Sequence, residues 1–379
     1  MVVAGVGGVV LVALAAVAAG SFQDHERPKA QVRWSSMTSA PSTTAALRAS
    51  GPLAGVPLAG RTGLWLLVAR DPTPFVADLD QEHVRPVTGL PGDGERVVSV
   101  LPVAEHAVIV SERTCASCRP PGPEVYGIWR GSATAVRLGT AQEVVAARDG
   151  RAVWLVDHET ATSCTLRQVG LEGGLRRPAR PVSCTTKLLS ELPAGLLVAS
   201  GPSEDPWDRP TSLVDRRGRR TRLGFPAADL LAATGELVLT SAEPLAPLTL
   251  TDLSSGARWR LGWPSRLRGG THIAAVHPNG RHIAVGFYGL AAPGEGGYDL
   301  WLLDTISRRW QHLPDFPAAD VVAKATDLAW TGDSRLVLLT QTATLGQVVA
   351  VWRPGQPRLA IRPVTLPEPS PGTSTLAIW

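Results

Sequence analysis

The sequence predicts an all-β protein: a seven-bladed β-propeller of four-stranded antiparallel blades, preceded by one N-terminal hydrophobic helix. Three observations carry this. Short apolar runs of five to eight residues recur from Thr62 onward, separated by Gly, Pro, Asp or Asn turns, with weak helical periodicity. The runs fall into groups of four, and the first strands of successive groups begin at Arg96, Glu143, Thr186, Ala228, Thr271 and Ala325. That is a repeat near 40–45 residues with four strands per unit, the period of propeller blades. Finally, the region Gly63–Gly89 supplies three strands, while the chain ends in a lone strand, Thr373–Trp379. Pairing the last with the first three completes a seventh blade, so the C-terminal strand closes blade one and removes the open edges of the ring.

The remaining segments follow in chain order. Residues 1–20 contain no charged side chain. About 20 apolar residues are enough to span a bilayer as a helix. Ala16-Val17-Ala18 has the small-residue form of a signal-peptidase site, so a transmembrane signal anchor and a cleaved signal peptide both remain open. No Cys follows the run, which gives no support to a lipoprotein anchor. Residues 21–61, rich in Ser, Thr, Ala, Pro and Gly, read as a stalk, and residues 62–379 as the propeller. The expected location is the cell membrane, single-pass with the domain outside, or a secreted protein if the segment is cleaved.

The formal net charge of +4 over 379 residues is too diffuse for a nucleic-acid face. Arg greatly outnumbers Lys, as in chains from GC-rich genomes. Cys164 and Cys184 lie at the same end of a hairpin turning at Leu171–Gly174, which suits a disulfide. Cys115 and Cys118 sit in one loop and are read as a second disulfide in preference to redox or zinc chemistry. The redox motif needs a βαβ setting and a structural zinc site needs two further ligands.

Two local patterns carry a family resemblance. HPNGRHIAVG (His277–Gly286) resembles the Ser-Pro-Asp-Gly-Arg hairpin of TolB-like and WD-repeat propellers, with Trp330–Leu338 a looser copy. Leu300–Arg308, Leu248–Gly256 and Leu213–Arg219 each place Asp at the end of an apolar strand before a turn, similar to the Trp-Asp segment of WD repeats. Asp there bonds the backbone of its own turn. The resemblance implies a TolB-like or WD-repeat-like propeller, in an exported or membrane-anchored bacterial protein of actinobacterial type.

No Gly-x-Ser-x-Gly elbow, sialidase box, P-loop or His-Glu-x-x-His motif occurs. No catalytic residue, metal site or cofactor is therefore expected. His272, His277 and His282 are evenly spaced on one hairpin, but even spacing is not convergence, so they are read as ordinary strand and turn histidines. The tryptophans are read as packing between blades rather than as sugar-stacking platforms. The basic run Arg216–Arg222 marks a hairpin of blade four, with Arg308 and Arg309 equivalent in blade six. It is read as a solvated turn, with anionic polymer or lipid headgroups as the alternative.

Long loops follow the second strand of blade two (Glu112–Pro123), blade four (Gly201–Thr211), blade six (Leu290–Gly297) and, mildly, blade seven (Thr342–Leu345). All emerge on one face, and insertions gathered on one face mark the binding face of repeat proteins. Trp207, Tyr288, Glu295 and Tyr298 are the candidate binding residues of that face. The expected activity is non-catalytic binding or scaffolding of a protein or cell-envelope polymer by a monomer. The alternative is an enzyme of the central funnel, such as a quinone-dependent dehydrogenase or a lyase.

Overall fold

The computed structural model describes residues 51–69, 73–91, 95–113, 123–141, 143–158, 163–201, 204–242, 245–290, 296–367 and 376–378. Residues 1–20, Cys115, Cys118 and Glu295 lie outside them. No helix among the described residues is long and apolar enough to cross a membrane.

Seven antiparallel blades of four strands form the ring, and the sheet of blade seven carries a fifth, added strand. The innermost strands of blades two to seven are Glu95–Val103, Glu143–Ala146, Lys187–Leu192, Leu230–Thr234, Gly270–Val276 and Asp327–Trp330. These begin within two residues of the positions read from the sequence. Blade one takes its inner strand from the C-terminus: Leu376–Ile378 pairs antiparallel with Trp65–Val68, with Leu66 opposite Ile378. Neighbouring inner strands touch all the way round, Leu376–Ile378 meeting both Glu95–Val103 and Asp327–Trp330.

A second seam lies inside the segment read as stalk. Val56–Pro57 adds in parallel to the outer strand of blade seven, Ala360–Pro363. The stalk boundary at residue 61 is thus too late. Leu53 is buried, its amide donates to Asp320 Oδ1 at 2.6 Å, and Arg362 donates to the carbonyls of Leu58, Gly60 and Leu79. Blade seven, the incoming chain and blade one are held together by that one guanidinium.

The core lies between blades. Side chains of a strand point alternately to its two faces. Leu66 and Val68 therefore pack with Val337 and Val349 of blade seven, while Leu67 between them packs with Ile109 and Ile128 of blade two. Both faces of the middle strands are buried, which is why these strands read as unbroken apolar runs. Several tryptophans fill the same spaces: Trp330 Nε1 donates to the Ala275 carbonyl of the preceding blade, and Arg308 stacks over Trp259 at 4.4 Å.

Turn chemistry matches the sequence reading. Asp252 Oδ1 accepts from the amides of Ser254 and Ser255, and Asp304 Oδ1 from those of Ile306 and Ser307. Asp78 does the same for Asp80 and Gln81 in blade one. Cys164 and Cys184 form a disulfide, with Cα atoms 5.1 Å apart. The expected loop of blade six is partly strand: His282–Leu290 and Gly296–Asp304 pair out to Leu290 opposite Gly296.

Candidate functional site

In an antiparallel blade the loop between the second and third strands shares a face with the connection into the next blade. The inner strands therefore start on the looped face. Their first positions are polar in several blades: Glu143, Lys187, Asp229 just before Leu230, His272 two residues into its strand, and Asp327. The apolar stretches that follow (VVA, LLAAT, LAW) draw attention away from these leading residues in the sequence.

Trp207 connects to this mouth. Pro206–Asp208 forms a single 3-10 turn whose start is fixed by Asp205 Oδ1 accepting from the Trp207 amide at 2.8 Å. The indole is 52% exposed, and Lys187 Nζ lies 3.9 Å from its ring centre. Lys187 Nζ is in turn 3.5 Å from Glu143 Oε1. Arg209 pins the loop by donating to the Thr185 carbonyl at 2.7 Å. Burial pushes the Glu143 carboxyl above its ordinary pKa, against the opposing pull of Lys187 and Arg209. A continuous path thus runs from an exposed loop aromatic to the inner strands of two blades.

Blade six supplies a second group. His272 is exposed yet crowded by protein, its ring edge-on to Tyr288 at 6.4 Å and to Tyr298 at 5.9 Å. Desolvation there lowers the imidazole pKa. Tyr288 is 38% exposed, as a surface residue should be. Tyr298 is not a surface residue: it is fully buried, its backbone is bonded on both sides to Ala318, and Phe316 packs 6.3 Å from its ring. Among the described residues its hydroxyl has no hydrogen-bond partner, and burial, reinforced by Asp327, drives the phenol pKa far upward. Asp229, near the start of the blade-five strand, also has its carboxyl raised by desolvation. Perturbed titratable groups gathered in one region are a physical indicator of function.

Two other polar groups resolve as structural. Asp299 is fully buried and accepts four hydrogen bonds: from Ser265 Oγ (2.6 Å), Trp301 Nε1 (2.7 Å), His312 Nε2 (2.8 Å) and the Leu300 amide (3.0 Å). In a nucleophilic triad the histidine stands between hydroxyl and acid. Here the acid stands between the other two. Of the three evenly spaced histidines, His277 and His282 stay together, their rings 5.8 Å apart, with His277 buried against Trp330 at 4.5 Å and His282 beside Asp304 at 3.8 Å, while His272 lies with the tyrosines. Among the described residues no cluster has the makings of a metal site.

No protein-family model and no curated protein matches the sequence. Solved structures match in fold. An acylaminoacyl peptidase from Pyrococcus horikoshii is 13% identical with a TM-score of 0.51, over 81% of this chain and 51% of that one. An uncharacterized protein from Listeria monocytogenes is 13% identical with a TM-score of 0.50, over 73% and 86% of the two chains. The β-propeller domain of a trilobed protease from Pyrococcus furiosus is 12% identical with a TM-score of 0.48, over 81% and 96%. This chain spans about half the length of the Pyrococcus horikoshii peptidase. At such identities the likeness is one of fold, and the fold is a seven-bladed β-propeller.

Proposed function

We propose that this chain is a non-catalytic binding or scaffolding propeller, TolB-like or WD-repeat-like in its turns, working outside the cytoplasmic membrane. Its partner is a protein or cell-envelope polymer held at the looped face. The observation that carries this is the exposed Trp207 over Lys187, linked through Glu143 to the channel mouth. A half-exposed indole held rigid by a capped turn and a cation is a ready-made anchor for a partner. The disulfide supports an oxidising location, and residues 1–20 supply the anchor or export signal.

A second reading draws on the same mouth: Glu143, Asp229 and His272, with shifted pKa values, would serve an enzyme of the funnel. Co-purification from envelope fractions separates the two. The cut for an anchorless form belongs at residue 50, since Leu53 and Val56 are part of the fold. The full chain should sediment with membranes and the shortened chain should not. Both should retain the partner, and Trp207→Ala combined with His272→Ala should lose it. Retention of the partner by that double variant would sink the looped-face assignment. A tightly bound cofactor with turnover would favour the enzyme.

A further inference from the structure

The turn of the basic run Arg216–Arg222, residues 216–219, joins the third and outer strands of blade four, so it emerges on the face opposite the long loops. Arg216 borders a cavity of about 450 Å³ between blades three and four. The inner wall of that cavity is built by strand register. In blade three Val145, Trp154, Gln168 and Arg177 are successive cross-strand partners and share the face turned to blade four. Leu166 and Arg180 form the next row on that face. Residues 177 and 180, at odd spacing, would lie on opposite faces of a regular strand. A bulge between Leu166 and Gln168 sets Arg167 of the third strand against Pro178 and Ala179 of the outer one, and so puts both arginines on one face.

The result is a close pair of guanidinium groups. The Arg177 and Arg180 guanidinium carbons lie 5.5 and 5.9 Å from the Trp154 ring centre. Neither arginine ion-pairs with a described residue. The neighbouring acids are engaged elsewhere: Asp149 by Arg176 at 3.6 Å, Glu191 by the Arg148 amide at 2.8 Å, and Asp215 by Arg219 at 2.8 Å. Desolvation, and then the Arg177 charge, lower the Arg180 pKa, as expected where no anion relieves the pair. Trp154 is 4% exposed, and both guanidinium groups lie over its ring. Two adjacent guanidinium groups without a paired carboxylate are unfavourable by themselves, and an oxyanion in the cleft relieves them.

We propose that this cleft binds the phosphoryl group of a phosphate monoester. A carboxylate is satisfied by a single arginine fork. Two guanidinium groups supply more donors, from more directions, and suit the three terminal oxygens of a phosphate. The cavity has room for the organic group that carries it, being within the usual range of small-ligand sites.

The test is thermal denaturation and calorimetric titration of the full chain with sodium phosphate and glucose 6-phosphate, against acetate and chloride at matched ionic strength. Vesicles of phosphatidylcholine containing phosphatidic acid test a lipid source of the same group. The two soluble phosphates should raise the melting temperature and the control anions should not; saturation by vesicles alone would assign the monoester to a lipid. Arg180→Met should weaken binding roughly tenfold to a hundredfold, as for a lost charged hydrogen bond, while leaving the ligand-free melting temperature unchanged or higher. Arg177→Met is the companion variant should Arg180→Met misfold. No phosphate-dependent change with any of the three probes, or one undiminished in both arginine variants, would overturn the proposal.

Discussion

Replacing Asp299 by Asn measures what a buried carboxylate contributes when every lone pair is used. The carboxylate accepts from Ser265, Trp301, His312 and the Leu300 amide. An amide oxygen takes the place of one carboxylate oxygen, and the amide nitrogen accepts nothing. With the oxygen toward Ser265 and Trp301, the Leu300 N–H is orphaned. With the oxygen toward His312 and Leu300, the Trp301 Nε1–H is orphaned. Ser265 can rotate and His312 can change tautomer, but one N–H stays unsatisfied in either rotamer. Together with the loss of charge from the surviving bonds, this amounts to about 3–5 kcal/mol. For a domain of this size that is a fall in Tm of roughly 4–7 °C, measured by calorimetry at pH 7. The pH dependence adds a second readout. Burial pulls the Asp299 carboxyl upward, but the hydrogen bonds from His312, Ser265 and Trp301 outweigh it and the pKa ends below its ordinary value. The contribution is therefore fully present above the unfolded pKa of about 3.9 and is lost as pH falls through the folded value. Wild type and Asp299→Asn should converge in strong acid. A Tm within about 1 °C of wild type at pH 7 would refute the structural role, and would reopen a chemical one for Ser265 and His312.

Three further outcomes test the packing of the fold. Tyr298→Phe removes a buried hydroxyl without a partner, so stability should be unchanged or rise by up to about 1 kcal/mol in urea titration. Gly286→Ala should cost about 1–3 kcal/mol or more, because the new Cβ would collide with Tyr298 Oη; combining it with Tyr298→Phe should recover part of that loss. Reducing the Cys164–Cys184 disulfide, which spans 20 residues, should lower the denaturation free energy by about 3 kcal/mol, read as a shift in midpoint with and without dithiothreitol.

What the sequence made legible was local. Asp252 and Asp304 announce their turns because the bonds they make reach only two or three residues on. Cys164 and Cys184 follow from one hairpin. The C-terminal strand followed from counting, since one blade lacked its inner strand. What was hidden depends on contacts distant in sequence. Val56–Pro57 is only two residues long and has no apolar pattern; backbone pairing and Arg362 hold it. Tyr288 and Tyr298 face each other across one ladder, yet only Tyr298 is buried, because the Leu313–Ala318 segment returns over it. Arg177 and Arg180 share a face through a bulge that no count of alternating residues reveals.

The alternation of connections in an antiparallel blade also separates the two candidate surfaces. Trp207 and His272 belong to the end where inner strands begin; Arg216 and Asp149 belong to turns at the other end, and Glu191 to the far end of an inner strand there. They share no side chain, although both draw on blades three and four. Sites without shared partners perturb each other little. Arg180→Met should therefore leave partner retention intact, and Trp207→Ala should leave the phosphate-dependent rise in Tm intact. Loss of both properties in either single variant would mean that the two ends communicate through the blade-three and blade-four interface. The apolar contacts of Trp154 with Leu188 and Leu196 would then be the place to look, because they are packed directly between the bulged strand and the inner strand that begins at Lys187.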